Sequence, residues 1–516
     1  MRKFHIALLV SFFILASAVI AEAGGKIIYI PLDNRPVCLS YVQDTVEAAG
    51  YKLSTPPEKL LSNHKDSGDI DGLWKWLEKE APTARAAVLS TDSLNYGGLV
   101  ASRKHEHTER FLNKKVARIK GLREVSPAMR IFAFSTIMRT PRQSAGNVEP
   151  DYYQFFGPKI FRLSQLQDKE DTHRLSAKEV HEKAELMQKV PGFLLNDWFK
   201  RREKNYSVNE KLIDLAKDKT FHFLAIGKDD DAPLSQTHME SRHLNKYAHG
   251  LAENKFQIIP GVDQVGLLLI TRAINELTGD KPTVHVIYAP GVGGKTISLY
   301  SDQSVQSSIE QQIAMLNGKL VNKFNKADLV LAVNTPYNGE NLDSTNNQNA
   351  PYAANYNITF AKELSKLTKT YPIALADISF ANGADNGFML ELDNRKVLPN
   401  FKAYSGWNTA DNSIGYALAQ GLLSQKMKQK DITRLLKTRY IDDWMYQANV
   451  RLRLANAIDK SDFKLKYDLG KYYNRVLGAT NGLFKQYTSE HPYLKDTDFT
   501  VEFPWNRLFE VDVKVE

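Results

Sequence analysis

The chain has 516 residues, of which 43% are hydrophobic and 25% charged, with 20 Pro, 29 Gly and a single Cys. These are the values of an ordinary globular protein, and they exclude disordered, collagen-like and disulfide-scaffold classes. The 68 Lys and Arg against 59 Asp and Glu give a formal charge of +9, spread along the chain rather than gathered beside aromatic residues, which excludes a nucleic-acid footprint.

At the amino terminus Arg2 and Lys3 precede an apolar run from Ile6 to Ala21, and Ala21-Glu22-Ala23 has the small-x-small form of a signal-peptidase site. Residues 1–23 therefore read as a cleaved signal peptide. The run is short against the ~20 residues needed to span a bilayer. The mature chain is expected in the periplasm or outside the cell, with no stable membrane anchor after cleavage. Losing Arg2, Lys3 and Glu22 lowers the formal charge by one, to +8. Cys38, alone in an exported chain, closes no internal disulfide, and its flanks (Pro36-Val37-Cys38-Leu39) read as buried packing.

Residues 24–425 alternate short β-branched runs with longer amphipathic stretches, the pattern of parallel strands joined by helical crossovers. The expected strands are Lys26–Leu32, Ala86–Thr91, Arg130–Thr136, Phe221–Gly227, Phe256–Pro260, Val284–Pro290, Asp328–Asn334 and Tyr371–Ile378. Between them Val265–Leu277 and Gln306–Leu316 carry apolar residues at helical spacing. Eight β-α units favour an α/β fold of (β/α)8-barrel type, with two doubly wound parallel-sheet domains as the alternative. A ninth apolar run, Phe401–Tyr404, has no slot in a strict barrel. Residues 140–209 form an insertion of lid or subdomain size. Residues 426–516 form a helical extension, amphipathic from Asp431 to Ile458, ending in a strand-like tail that docks onto the body. No internal repeat is visible.

In both kinds of α/β fold the reactive groups follow the carboxyl ends of the strands. There the sequence places Asp33, Asn34 and Arg35, then Asp92 and Tyr96, then Arg139 and Arg142, then Asp229, Asp230 and Asp231. Asp263 follows the fifth strand, Asp377, Asn382 and Asp385 the eighth, and Trp407 and Asn408 the ninth run. Asp and Asn also cap helices and shape turns, yet acids at so many strand ends, with Arg and aromatic neighbours, predict one polar cleft. Such a cleft suits polyhydroxylated ligands, with aromatic faces for sugar C–H surfaces and amides, acids and guanidinium groups for hydroxyls.

Asp229-Asp230-Asp231 carries the most chemistry, because crowded carboxylates raise at least one pKa, as a general acid requires. In an extended segment Asp229 and Asp231 would share a face, with Asp230 opposite. The triple acid fits glycoside cleavage by an acid pair or oxygen ligation of Ca²⁺ or Mg²⁺. No cofactor is otherwise expected. The run A-P-G-V-G-G-K-T (289–296) resembles a phosphate-binding loop, but Ile297-Ser298-Leu299-Tyr300 reads as extended where that motif needs a helix. His238 and His243 lie five apart, the wrong spacing for a helical zinc pair, and His105 and His107 lack a third ligand in view. No G-x-S-x-G elbow occurs.

The segments IYIPLDNRPVC, STDSLNYGGLVASR, IGKDDDAP, YSGWNTADNSIGYALAQG and FPWNRLFEV resemble the signatures of a bacterial family catalogued only as a domain of unknown function, whose members span nearly this whole length. That resemblance implies no activity, cofactor or catalytic residue. The paired aspartates after a strand are also similar, over a few residues, to those of hexosaminidase barrels that use the substrate's acetamido group. The residues themselves lead to an exported glycoside hydrolase acting on a bacterial or host glycan, with Asp229, Asp230 or Asp231 as its acid pair. The alternatives are a metal-assisted hydrolase of an ester, amide or phosphoester and a non-catalytic glycan-binding protein. The expected partner is a glycan or small-molecule substrate, with no nucleic acid; the oligomeric state stays open.

Overall fold

A computed structural model describes residues 25–144, 147–459, 465 and 467–516; the expected signal peptide at 1–23 lies outside the described residues. The first six strands are β1 (Lys26–Ile30), β2 (Leu53–Ser54), β3 (Ala84–Ser90), β4 (Arg130–Ile137), β5 (Phe223–Lys228) and β6 (Phe256–Pro260). They form one parallel sheet in the order β2-β1-β3-β4-β5-β6. The next seven are β7 (Thr283–Tyr288), β8 (Lys319–Leu320), β9 (Leu329–Asn334), β10 (Leu342–Asp343), β11 (Ile373–Asp377), β12 (Phe380–Ala381) and β13 (Ala403–Ser405). Of these, five build a second parallel sheet in the order β8-β7-β9-β11-β13, while β10 and β12 pair with each other in the loops.

Two open sheets are the arrangement held above as the alternative, and the strands do not assemble as the favoured eight-unit barrel. Counted from its own first strand, each sheet begins in the order 2-1-3-4-5. One doubly wound topology thus occurs twice in a chain whose sequence shows no repeat.

The physical reason lies in two helices, Val265–Thr278 and Ala410–Leu423. The first is buried at every residue from Val265 to Asn275 and the second along its whole length. A helix that is apolar all round needs packing partners on both sides, whereas a barrel's outer helices face water on one side. Here the two helices fill the layer between the sheets. Ile27, Tyr29, Val88, Phe132 and Phe134 of the first sheet share one core with Leu268, Ile414, Leu331, Val333 and Ala374. The alternate residues Ile28, Ile30, Leu89, Ile131 and Ile226 point the other way and pack on Trp74, Ile119 and Leu212 of the outer helices. Val330, Ala332 and Leu375 do the same on the far side of the second sheet, against Phe360, Phe388 and Leu436. This two-sided burial is why the strands read as unbroken apolar runs. Each fully buried Leu, Ile or Val side chain contributes roughly 1.5–3 kcal/mol. Close approach is permitted at Gly421, where a Cβ would sit 2.7 Å from that of Ala374, so substitution there would push the middle layer off β11.

Between β4 and β5 run three helices, Tyr153–Thr172, Ala177–Lys189 and Gly192–Lys217. After the second sheet come Gln429–Arg439, a wide-turned helical segment Tyr440–Val450, and Arg451–Asp459. The tail is a hairpin of antiparallel strands β14 (Phe499–Glu502) and β15 (Asp512–Val515), docked through Val501, Phe503, Leu508 and Val513. The glycine-rich run after β7 forms only a three-residue turn, Gly293–Lys295, and the next helix starts at Val305. Its amides therefore do not gather at a helix N-terminus as a phosphate loop requires. Among the described residues no helix is long and apolar enough to cross a membrane.

Candidate functional site

The loops leaving the carboxyl ends of both sheets meet around a cleft of about 290 Å³, the position at which open α/β sheets hold ligands. The first sheet contributes Arg35 after β1, Arg139 and Arg142 after β4, Asp229, Asp230 and Asp231 after β5, and Asp263 after β6. From the second come Tyr300, Asn382, Asn408 and Asn412, and Phe509 arrives from the tail hairpin.

Arginines organise the acids. Arg35 grips Asp263 with Nη2 at 2.6 Å and Nη1 at 3.1 Å, and its Nε lies 3.0 Å from both oxygens of Asp33. Arg103 donates from Nε at 3.0 Å and Nη2 at 2.5 Å to Asp229, and from Nη1 at 3.2 Å to the buried Glu149. Glu149 also accepts from Arg139 Nε at 2.6 Å, and Arg139 Nη1 reaches Asp230 at 2.5 Å. Bidentate and charge-assisted contacts of this kind fix side-chain geometry strongly. Arg142 differs: it is exposed, lies over the Phe161 ring at 5.4 Å, and among the described residues pairs with no carboxylate.

The triple acid is split three ways. Asp229 and Asp231 have side chains 5% and 0% exposed, whereas that of Asp230 is 24% exposed. The segment is not extended, because Asp230 adopts φ 41°, a left-handed conformation that Asp tolerates better than most residues. Such conformations are enriched at functional sites. Burial, with Asp229 alongside, raises the Asp230 carboxyl above the usual carboxylate range despite Arg139. Asp231 accepts from Ser235 Oγ and Ala232 N, both at 2.7 Å. Burial and the nearby Asp302 push its pKa up to about 7.

Polar contacts tie the sheets together at the cleft. Lys228, on β5, pairs with Asp302 beyond β7; Asp231 N donates to Tyr300 O at 3.1 Å; and Asn408 Nδ2 donates to Asp263 Oδ2 at 3.2 Å.

Nine of the expected site residues thus come together: Arg35, Arg139, Arg142, Asp229, Asp230, Asp231, Asp263, Asn382 and Asn408. The others do not line the cleft. Asp33 stands behind Arg35 as its counterion. Asn34 faces Glu58 and accepts from Trp505 Nε1 at 2.7 Å. Asp92 is buried under Thr136, which donates to it at 2.9 Å, and Tyr96 is buried and stacked on His105. Asp377 and Asp385 form a separate cluster with Asn334, in which Asp385 caps the helix Asn386–Asn394. Trp407 is buried against Phe509. In these six cases and in Trp407, short-range polar or packing partners consume the side chain before it reaches open space.

Sequence reasoning missed Arg103, Tyr300, Asn412 and Phe509. Arg103 ends the short helix Leu99–Lys104 and enters from the side rather than from a strand end, and Phe509 comes from a hairpin far along the chain. Asn412 sits in the first turn of Ala410–Leu423 and offered a polar residue at the start of an otherwise apolar helix as its signal. Cys38 is buried, and burial raises its thiol pKa well above the usual range, against a nucleophilic role. His238 and His243 face Asp168 and Asp171. Among the described residues no three His, Cys, Asp or Glu side chains gather to hold a cation, and the three aspartates each face a different basic side chain.

The model of a family described as "Protein of unknown function (DUF4127)" matches residues 27–514, the span that contains all the segments behind the resemblance noted above. No curated protein and no solved structure matches the chain.

Proposed function

The chain belongs to the DUF4127 family, and we propose that it is an exported hydrolase that cleaves a glycan in the cleft between its two sheets, with Asp230 as proton donor. The observation that carries this reading is the contrast within the triple acid. Of the three, Asp230 alone presents an accessible carboxyl, and its pKa is raised above the usual carboxylate range, the direction that general-acid catalysis requires. Arg139 holds one of its oxygens, and the residue lines the cleft. Asp229, fixed by Arg103, supplies the adjacent carboxylate, in position to orient an assisting group of the substrate or to stabilise positive charge on the sugar. Asn382, Asn408 and Asn412 offer amides for hydroxyls. The cleft is at the small end of the range for ligand pockets, which fits one sugar unit at the reacting position.

The test is turnover by the purified mature chain of a panel of aryl glycosides and of bacterial cell-wall and host glycans. Release of reducing sugar or aryl alcohol from any member supports the reading, and inertness toward all of them removes it.

One observation favours a second reading, a glycan-binding protein without turnover: Asp229, Asp231 and Asp263 each face a basic side chain. Saturable binding with no product would select it.

A further inference from the structure

Beyond the cleft, past Arg142, Leu299 and Tyr300, lies a second compartment of about 430 Å³, and these three residues line both spaces. The far walls of the second space come from Ser298 and from the loop Asn338–Asn341 after β9. Its lining mixes polar groups, among them Ser301, Asn338 and Asn341, with the apolar Pro233, Ile297 and Leu299. Ser298 is buried, yet its Oγ has no hydrogen-bond partner among the described residues, and a buried hydroxyl left unpaired costs about 1–3 kcal/mol unless something meets it. Beside this compartment the exposed Tyr337 ring stacks on Tyr356, with centroids 4.9 Å apart and planes 17° apart. That leaves a flat aromatic face next to Asn338.

We propose that the second compartment is a subsite for a neighbouring sugar, so that the substrate is a chain of at least two linked units rather than a lone monosaccharide derivative. This rests on the glycan reading of the cleft. One unit sits beside Asp230. The next passes Arg142, whose guanidinium lies over Phe161 and has no carboxylate partner among the described residues, leaving it as a donor to ring or linkage oxygens between the compartments, and meets Ser298 and the Asn338–Asn341 loop. Glu340, also on that wall, accepts from hydroxyls there. Binding energy from a unit remote from the reacting bond is the usual source of preference for longer substrates.

Calorimetric titration of the full mature chain with cello-, xylo-, manno- and chito-oligosaccharides of one to four units tests this. In at least one series the trisaccharide is expected to bind at least ~10-fold more tightly than the monosaccharide. Asn338→Trp, an exposed loop change that fills the compartment, is expected to erase that gain while leaving the thermal midpoint in place; Asn338→Ser, which keeps the space open, is expected to preserve it. Affinity independent of chain length in every series, or a gain that survives Asn338→Trp, would overturn the subsite. A length-dependent gain keeps the subsite whether or not the glycan panel shows cleavage, and panel inertness removes the hydrolase reading alone, so the two failures are distinguishable.

Discussion

Arg35 and Asp263, 228 residues apart in sequence, form a buried bidentate ion pair with contacts of 2.6 and 3.1 Å. The pair joins the loop after β1 to the loop after β6 and closes one wall of the cleft. Trp505 of the tail hairpin covers it, with the guanidinium 5.2 Å from the ring centre.

Breaking that pair leaves Asp33 and Asp263 buried without their cation. Arg35→Met is therefore expected to destabilise the chain by about 3–5 kcal/mol at neutral pH, read as a lowered denaturation midpoint. The loss should shrink in acid, because the Asp263 carboxyl already lies above the usual range through burial and takes up a proton readily. A change below ~1 kcal/mol, the level of an exposed pair, would show that the network does not hold the wall.

Asp92 supplies a pH dependence with a definite sign. Burial raises its pKa to about 7, with Thr136 as its one side-chain partner. Between the unfolded carboxyl pKa and that value the folded chain keeps a proton that the unfolded chain has lost. Stability must then fall as pH rises through this window, and a shift of this size corresponds to roughly 4 kcal/mol. Asp92→Asn is expected to flatten the decline of the thermal midpoint between about pH 4 and pH 7 and to exceed wild type at the alkaline end. An unchanged slope would contradict the assignment.

Gly98, in the N-Y-G-G turn after β3, has φ 130°, and a Cβ there would overlap Ser62 Oγ. Gly98→Ala is expected to cost about 1–3 kcal/mol from the backbone alone, with the overlap added. Adding Ser62→Gly should recover the overlap and not the backbone part, measured by a two-by-two comparison of unfolding midpoints. Full recovery would mean that the backbone is unstrained.

Much of this fold is legible in the sequence. All nine apolar runs are strands of the two parallel sheets, with ends shifted by one or two residues at most sites, and Val265–Thr278 begins where its periodicity does. The two-residue edge strands β2 and β8 carry too few side chains to show a pattern. The choice between barrel and paired sheets was readable in VGLLLITRAIN and IGYALAQGLL, whose apolar residues spread well beyond one face, but periodicity counts one face and does not ask whether the other meets water. The cleft was half legible. Strand-end acids such as Asp230 and Asp263 reach it, whereas Asp385 became a helix cap and Asp33 a counterion, roles decided by neighbours that a linear motif does not specify.

The most direct measurement compares turnover by wild type and Asp230→Asn on the substrate that the panel identifies, with thermal unfolding of both as the control for folding. The proposal predicts a loss of about 10²–10⁴-fold in the variant, with cooperative unfolding retained because Arg139 keeps its bond to Glu149. Equal turnover by a folded Asp230→Asn chain would contradict it.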